Sequence, residues 1–147
     1  MDSLRSPAYL GLGWCYAMID EMADSLSNLD IAIAREPDAP DGYAAKAFVM
    51  LAQDDFEAAI LAADKVISLG GEEYVFSHIT DVQIRSIRLL IAECYFAIGQ
   101  YEDAQTQIDI LETDNELDQD DLTYEQDLLL KIESLKSPGS ILEELNN

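Results

Sequence analysis

The sequence predicts an all-α protein built of stacked helix pairs, and three observations predict it. Small and apolar residues recur at three- and four-residue steps, the spacing that keeps side chains on one helical face. The pattern then returns at a fixed distance: with Ser25 aligned on Ala59 the period is 34 residues, the length of a helix–turn–helix unit. Turn residues fall between the periodic runs, at Gln53, Asp54 and Asp55 and again at Gly99 and Gln100. One helix pair of this size cannot bury its own apolar face, so each needs neighbours stacked on it.

The first pair occupies residues 7–35. Ser6 and Pro7 read as a helix start, with Ser as the cap and Pro in the first turn. This helix runs to about Ile19 and its partner from about Glu21 to Arg35, and Pro37 and Pro40 end the pair and fix the link to the next. The second pair is the clearest. Tyr43, Ala44, Ala47, Phe48, Met50 and Leu51 line one face of its first helix, and Phe56, Ala59, Ile60, Ala63, Val66 and Ile67 line one face of its second. Ala47, Ala59 and Ala63 are small enough for two antiparallel helices to approach at the low end of the usual separation of about 8–10 Å. Asp54 and Asp55 supply acidic groups at the second helix's N-terminus, where they cap free N–H groups. Gly70 and Gly71 stop it. Under the 34-residue period Tyr9 falls on Tyr43, Gly13 on Ala47, Tyr16 on Met50, Met22 on Phe56, Leu29 on Ala63 and Ala32 on Val66.

The third pair takes Ile84 to Ile98 and Tyr101 to about Glu112, with Ala92, Tyr95, Gly99, Tyr101, Ala104, Ile108 and Leu111 in the corresponding places. Ala59 to Ala104 is 45 residues, so about 11 residues are inserted, between Gly71 and Asp81. The insert carries Tyr74, Val75 and Phe76 and the only histidine, His78. Residues 113–121 form a solvated acidic connector. Leu122 to Leu135 then reads as one more helix, with Tyr124, Leu128, Ile132 and Leu135 on one face to cover the third pair. Ser137, Pro138 and Gly139 end it, and Ile141, Leu142 and Leu145 add a last short turn. The organisation expected is a single domain over 1–147, with repeats at about 6–39, 40–71 and 84–117, an insert at 71–83, a capping helix at about 121–136 and a tail at 137–147.

Composition narrows the partners. The 147 residues suffice for one domain with a core, and a 49% hydrophobic content argues against a disordered chain. The formal charge is -22, with 30 acidic residues against 8 basic ones. No basic surface is therefore expected for nucleic acid or for an anionic membrane. Asp (17) exceeds Glu (13) and Lys is only 4, a bias that suits either a halophilic source or plain acidity. The first five residues have neither the basic nor the apolar region of a signal peptide, and no run of about 18 apolar residues exists to span a membrane. The expected location is cytoplasmic if Met1 is the native start, and the periplasm or cell envelope if the chain is a fragment of a lipoprotein.

The small residues at two fixed places, the aromatics Phe56 and Tyr101 before EAAI and EDAQ, the closing Pro37, and the stretches LGLGWCY at 10–16 and CYFAIGQYEDA at 94–104 resemble the tetratricopeptide repeat (TPR) family over residues 7–112. The stretch YVFSHITDVQIRSIRLLIAECYFAIGQYEDA is also similar to a variant in TPR segments of bacterial envelope lipoproteins. Ser25 in place of the usual Ala, Lys46 in place of an apolar residue and Arg88 where an aromatic is common depart from the pattern. The resemblance implies three hairpins in a right-handed superhelix, a non-catalytic scaffold, and a concave groove lined by the first helix of each pair. It places Leu10, Trp14 and Ala17 in that groove, then Ala44, Phe48 and Leu51, then Leu89, Glu93 and Phe96.

Trp14 and Phe48 are large apolar groups at places the stacking does not require; they read either as binding anchors or as groups covered by the C-terminal helix or another domain. The aromatic lining and acidic rim favour an apolar or basic protein or peptide ligand. The Lys/Asn clamp that chaperone-tail-binding TPRs use for a carboxylate is absent from Leu10, Trp14, Ala44, Phe48, Leu89 and Glu93, which argues against an acidic tail as ligand. The competing reading is a structural module that spaces or oligomerises a longer chain. No cap precedes Pro7, so either further repeats lie upstream or a second copy covers that end as a homodimer.

Nothing in the sequence assembles catalysis, and no cofactor or metal is expected. Cys15 and Cys94 fall at the same place of their repeats, two units apart. Stacked units are separated by roughly 10 Å each, and a disulfide needs Cα atoms within about 7 Å, so both are expected as buried thiols. His78 has no nucleophile or orienting group near it in sequence. Asp114, Glu116, Asp118, Asp120 and Glu125 follow a calcium-loop spacing, but Gln119 stands where the turn Gly belongs and Asp121 where an apolar residue belongs. An acidic linker is the better reading.

Overall fold

The computed structural model describes residues 5–77 and 82–136 and is all-helical over them. Helices α1 (Ser6–Met18) and α2 (Met22–Arg35) form the first hairpin, α3 (Pro40–Ala52) and α4 (Phe56–Gly70) the second, and α5 (Ile84–Ala97) and α6 (Tyr101–Leu111) the third; α7 (Tyr124–Lys136) is the last helix among the described residues. Within each hairpin the two helices pack along their length. Between hairpins α3 packs on α2 and α1, and α5 on α4 and α3, so the pairs stack in chain order.

The three hairpins share one turn. Asp20, Asp54 and Gly99 occupy matching places and all adopt positive φ, at 63°, 58° and 80°. Asp tolerates this left-handed conformation better than most residues, and Gly adopts it freely. The following amide reaches back to close the preceding helix in each: Glu21 N to Tyr16 O, Asp55 N to Met50 O and Gln100 N to Tyr95 O, all at 2.9 Å. Asp55 caps α4, its carboxylate accepting from Ala58 N at 3.3 Å. Gly71, at φ 65°, terminates that helix. At the other end of the chain Ser6 is not a cap. Arg5 holds the cap position of α1 without a side-chain bond, and Ser6 and Pro7 are already helical. Pro40 likewise opens α3 rather than only ending the link before it, because its fixed φ suits the first helical turn. The last helix begins at Tyr124, two residues later than the apolar pattern suggests, and leaves Leu122 fully exposed.

Two of the three departures from the repeat pattern have polar partners in the packing, and the third is paired at the surface. Gly13 is where α1 and α2 come closest: a Cβ there would stand 2.6 Å from Leu29 Cγ. Ser25 is fully buried beside it and donates its hydroxyl to Gly13 O at 2.7 Å. Arg88 is buried on α5 and binds Glu72 of the Gly71–Glu73 turn and Gln107 of α6, so one guanidinium ties three segments together. Lys46 pairs with Asp30 at 2.8 Å across the α2–α3 seam.

The apolar residues form two clusters, and α5 belongs to both. Ile87, Leu90, Ile91 and Cys94 face the large cluster made with the first two hairpins. Leu89 and Ala92 face a smaller one made with Ala104 and Ile108 of α6 and with Tyr124, Leu128 and Ile132 of α7. Tyr124 also donates to Gln105 Oε1 at 2.7 Å, so the apolar contact of α7 is fixed in register by a buried hydrogen bond.

The two cysteines do not share an environment. Cys94 is fully buried, whereas Cys15 is exposed, contrary to the buried pair expected. At the matching place of the second hairpin Val49 is only 1% exposed. That place is covered by the hairpin before it, and among the described residues none precedes α1.

Candidate functional site

The nine residues expected along one groove separate into three settings. Ala44 is fully buried and Leu89 nearly so, while Leu10, also mostly buried, keeps an edge on a separate cavity with Pro7, Ala32 and Gly42. Trp14 and Phe48 meet edge to face with ring centroids 6.3 Å apart, and Trp14 also meets Phe76 at 5.1 Å. Ala17 is half-buried against the same cluster. Leu51, Glu93 and Phe96 line an open cleft.

The aromatic nest is partly covered from within. Phe76 comes from the insert and is fully buried. Its amide donates to Val82 O at 2.8 Å, and Val75 and Gln83 make a single antiparallel bridge, so the two flanks of the insert pair with each other. Tyr74 anchors the loop's base: it is buried over Gly70, where a Cβ would stand 2.8 Å from its ring, and its hydroxyl donates to Asp41 at 2.8 Å. Burial first, then the Asp41 hydrogen bond and charge, pushes the Tyr74 phenol far above its ordinary range. Part of the cover over Trp14 therefore comes from the chain's own insert, and both Trp14 and Phe48 stay half-buried. His78 and Asp81, also in the insert, lie outside the described residues, as do Ile141, Leu142 and Leu145.

The cleft has a volume of about 440 Å³. Leu51, Ala52 and Asp54 approach it from the end of α3 and the turn after it, Phe56 from the start of α4, Phe96 and Ala97 from α5, and Leu129 and Ile132 from α7. The local sequence explains the shape. The left-handed residue Asp54 turns the chain sharply at the mouth. Tyr124, Leu128 and Ile132 seat α7 on α5 and α6, which leaves Leu129, one residue round the helix, 40% exposed at the wall. Carboxylates from three elements lie along it: Asp54, Glu93 and Glu133. Lys136 at the end of α7 spans two of them, with Nζ 2.9 Å from Glu93 and 3.5 Å from Glu133. Desolvation alone would lower the Lys136 ammonium's affinity for its proton; the hydrogen bond and charge of Glu93, with a contribution from Glu133, outweigh it and hold the group above its ordinary value.

This cleft was only partly legible beforehand. Leu51, Glu93 and Phe96 were placed by the resemblance to TPR repeats, but Leu129, Glu133 and Lys136 were not. Their signal was the outward side of the last helix, which a search for its buried face passes over. Among the described residues no three acidic, Cys or His side chains converge as a metal ion would need. Asp118 instead accepts from Asp120 N at 3.0 Å within the connector. Among the described residues no helix is long and apolar enough to cross a membrane. No family model matches the chain, and no curated relative matches its sequence.

Proposed function

We propose that this chain is a non-catalytic, TPR-type scaffold that holds an apolar or basic peptide segment in the cleft between the second hairpin, α5 and α7. The observation that supports the reading is the cleft itself. It joins an aromatic and aliphatic floor to a carboxylate edge, in a volume suited to a few side chains rather than to a whole folded domain. The shared left-handed turns, the stacked order of the hairpins and the small residues at Gly13, Ala47 and Ala92 support the repeat reading beside it. The aromatic nest at Trp14 is the weaker candidate, because Phe76 of the chain itself packs against Trp14 there.

The test uses Leu129→Gln. Leu129 is already partly exposed, so the change removes apolar wall without opening the core. Peptides selected from a random display library on the wild-type protein are measured against the variant. A loss of about fivefold or more in affinity supports the cleft as the site. Peptides that bind both proteins equally, or a library that returns none, overturn the reading.

A further inference from the structure

Lys136 shows what the carboxylate edge of this cleft accepts. Its ammonium sits between Glu93 and Glu133, both of which line the cleft, as does Asp54. The pair is poorly protected: the Lys136 side chain is 36% exposed and that of Glu93 32%. Exposed ion pairs hold weakly, because water screens them and a long side chain loses freedom to make them. A second ammonium delivered by a ligand therefore has little to displace. Beside the carboxylates stand Leu51, Phe96 and Leu129, able to cover the apolar stem of a long cationic side chain and its apolar neighbours. The surrounding charge is complementary to such a ligand, since the chain carries -22 overall.

We propose that the cleft recognises a lysine side chain flanked by apolar residues, and that Lys136 is its internal stand-in, displaced from Glu93 when the ligand binds. The proposal rests on the peptide-binding reading above and names the ligand's chemistry. It makes Glu93 the residue that fixes the cation and Lys136 a built-in competitor that sets affinity.

The experiment measures fluorescence anisotropy with a labelled Gly-Leu-Lys-Leu-Gly peptide, at about 0.15 M salt so that distant charges are screened. The same peptide with acetyl-lysine or arginine in the centre serves for comparison. Glu93→Gln is expected to weaken the lysine peptide by about tenfold, and Lys136→Met to tighten it by about three- to fivefold. Two controls carry matched charge changes elsewhere. Asp114→Asn with Glu116→Gln removes two carboxylates from the connector, and Lys65→Met removes one cation from α4; both are expected to leave affinity within about twofold. If the acetyl-lysine peptide binds as tightly as the lysine peptide and both lose affinity on Leu129→Gln, the cation assignment is overturned while the peptide-binding reading stands. If no peptide responds to Leu129→Gln, that reading fails and takes this one with it. A connector control that weakens binding as much as Glu93→Gln, a Lys136→Met variant no tighter than Lys65→Met, a preference for arginine, or no binding at all each overturns the proposal.

Discussion

Phe76 is the residue whose removal most directly tests whether the insert belongs to the core. It is fully buried and its ring meets Trp14 at 5.1 Å. Replacing a buried Phe by Ala costs about 3–5 kcal/mol in general, of which the aromatic pair accounts for about 0.5–1.5. The insert is held at one end by Tyr74 and its bond to Asp41 and at the other by the start of α5, where Gln83 and Ser86 form a capping box. Those anchors limit how far the loop can collapse into the gap, so Phe76→Ala is expected to cost about 3–4 kcal/mol and Phe76→Leu about 1–2. A domain of this size has about 5–15 kcal/mol to lose, so both variants remain folded. Trp14 is the only tryptophan, and its emission therefore reports the nest directly. Urea unfolding followed by that emission and by far-ultraviolet circular dichroism separates the local effect from the global one. The folded Phe76→Ala protein is expected to keep its helical signal, to show red-shifted emission, and to unfold at lower urea by both probes. Native emission unchanged and a stability within about 0.5 kcal/mol of wild type would refute the claim that Phe76 packs as core against Trp14.

Four further outcomes follow from the geometry. Gly99→Ala meets no atom within 4 Å but needs φ 80°, so it should cost about 1 kcal/mol in urea unfolding through backbone strain alone. Gly13→Ala forces a Cβ to 2.6 Å from Leu29 and should cost about 1–3 kcal/mol by the same assay, unlike an Ala already present at the matching place in the second hairpin. In native protein a thiol reagent should label Cys15 rapidly and Cys94 only through opening of the fold, so mass spectrometry at short times should find a single adduct, on the peptide containing residue 15. Alkali should destabilise the chain. Burial, then the charges of Glu93 and Glu57, pushes the Cys94 thiol from its ordinary 9.0 up to about 12, so the folded protein keeps a proton that the unfolded chain releases. Stability from this group is intact below pH 9.0 and declines between there and about 12, by about 1.4 kcal/mol per pH unit, a slope that Cys94→Ala should reduce.

The helices and their turns were legible because period and turn chemistry are local. Ala47, Ala59 and Ala63 mark close approach wherever they occur, and all three are fully buried. The environment of Cys15 was not legible, because the same helical place is buried or bare according to what stacks on it. Nor was the division of the groove. The insert's length was visible, and so were its aromatics, but a short loop without a period does not say which face it folds onto. Only the three-dimensional path brings Phe76 to Trp14, residues 62 apart in the chain. The C-terminal helix was read for the face it buries, which gives Ile132; the rest of its contribution to the cleft, Leu129 and Glu133, comes from the side that remained.

The bare side of α1 has a consequence for how the molecule responds to its solvent. Leu12 and Cys15 are exposed there, and Met18 and Ile19 beyond them are 70% and 66% exposed. From Ser6 to Ile19 the sequence has no charged residue, although the whole chain carries -22. Two such molecules repel at long range but have nothing ionic to lose where these helices would meet. Added salt shortens the reach of the repulsion, to about 10 Å at 0.1 M and about 3 Å at 1 M, and leaves apolar attraction in place. Self-association through this helix would therefore rise with ionic strength, whereas binding of a lysine peptide in the cleft would fall. If both proposed contacts form, a single salt titration, read by sedimentation and by anisotropy, is expected to strengthen the first and weaken the second.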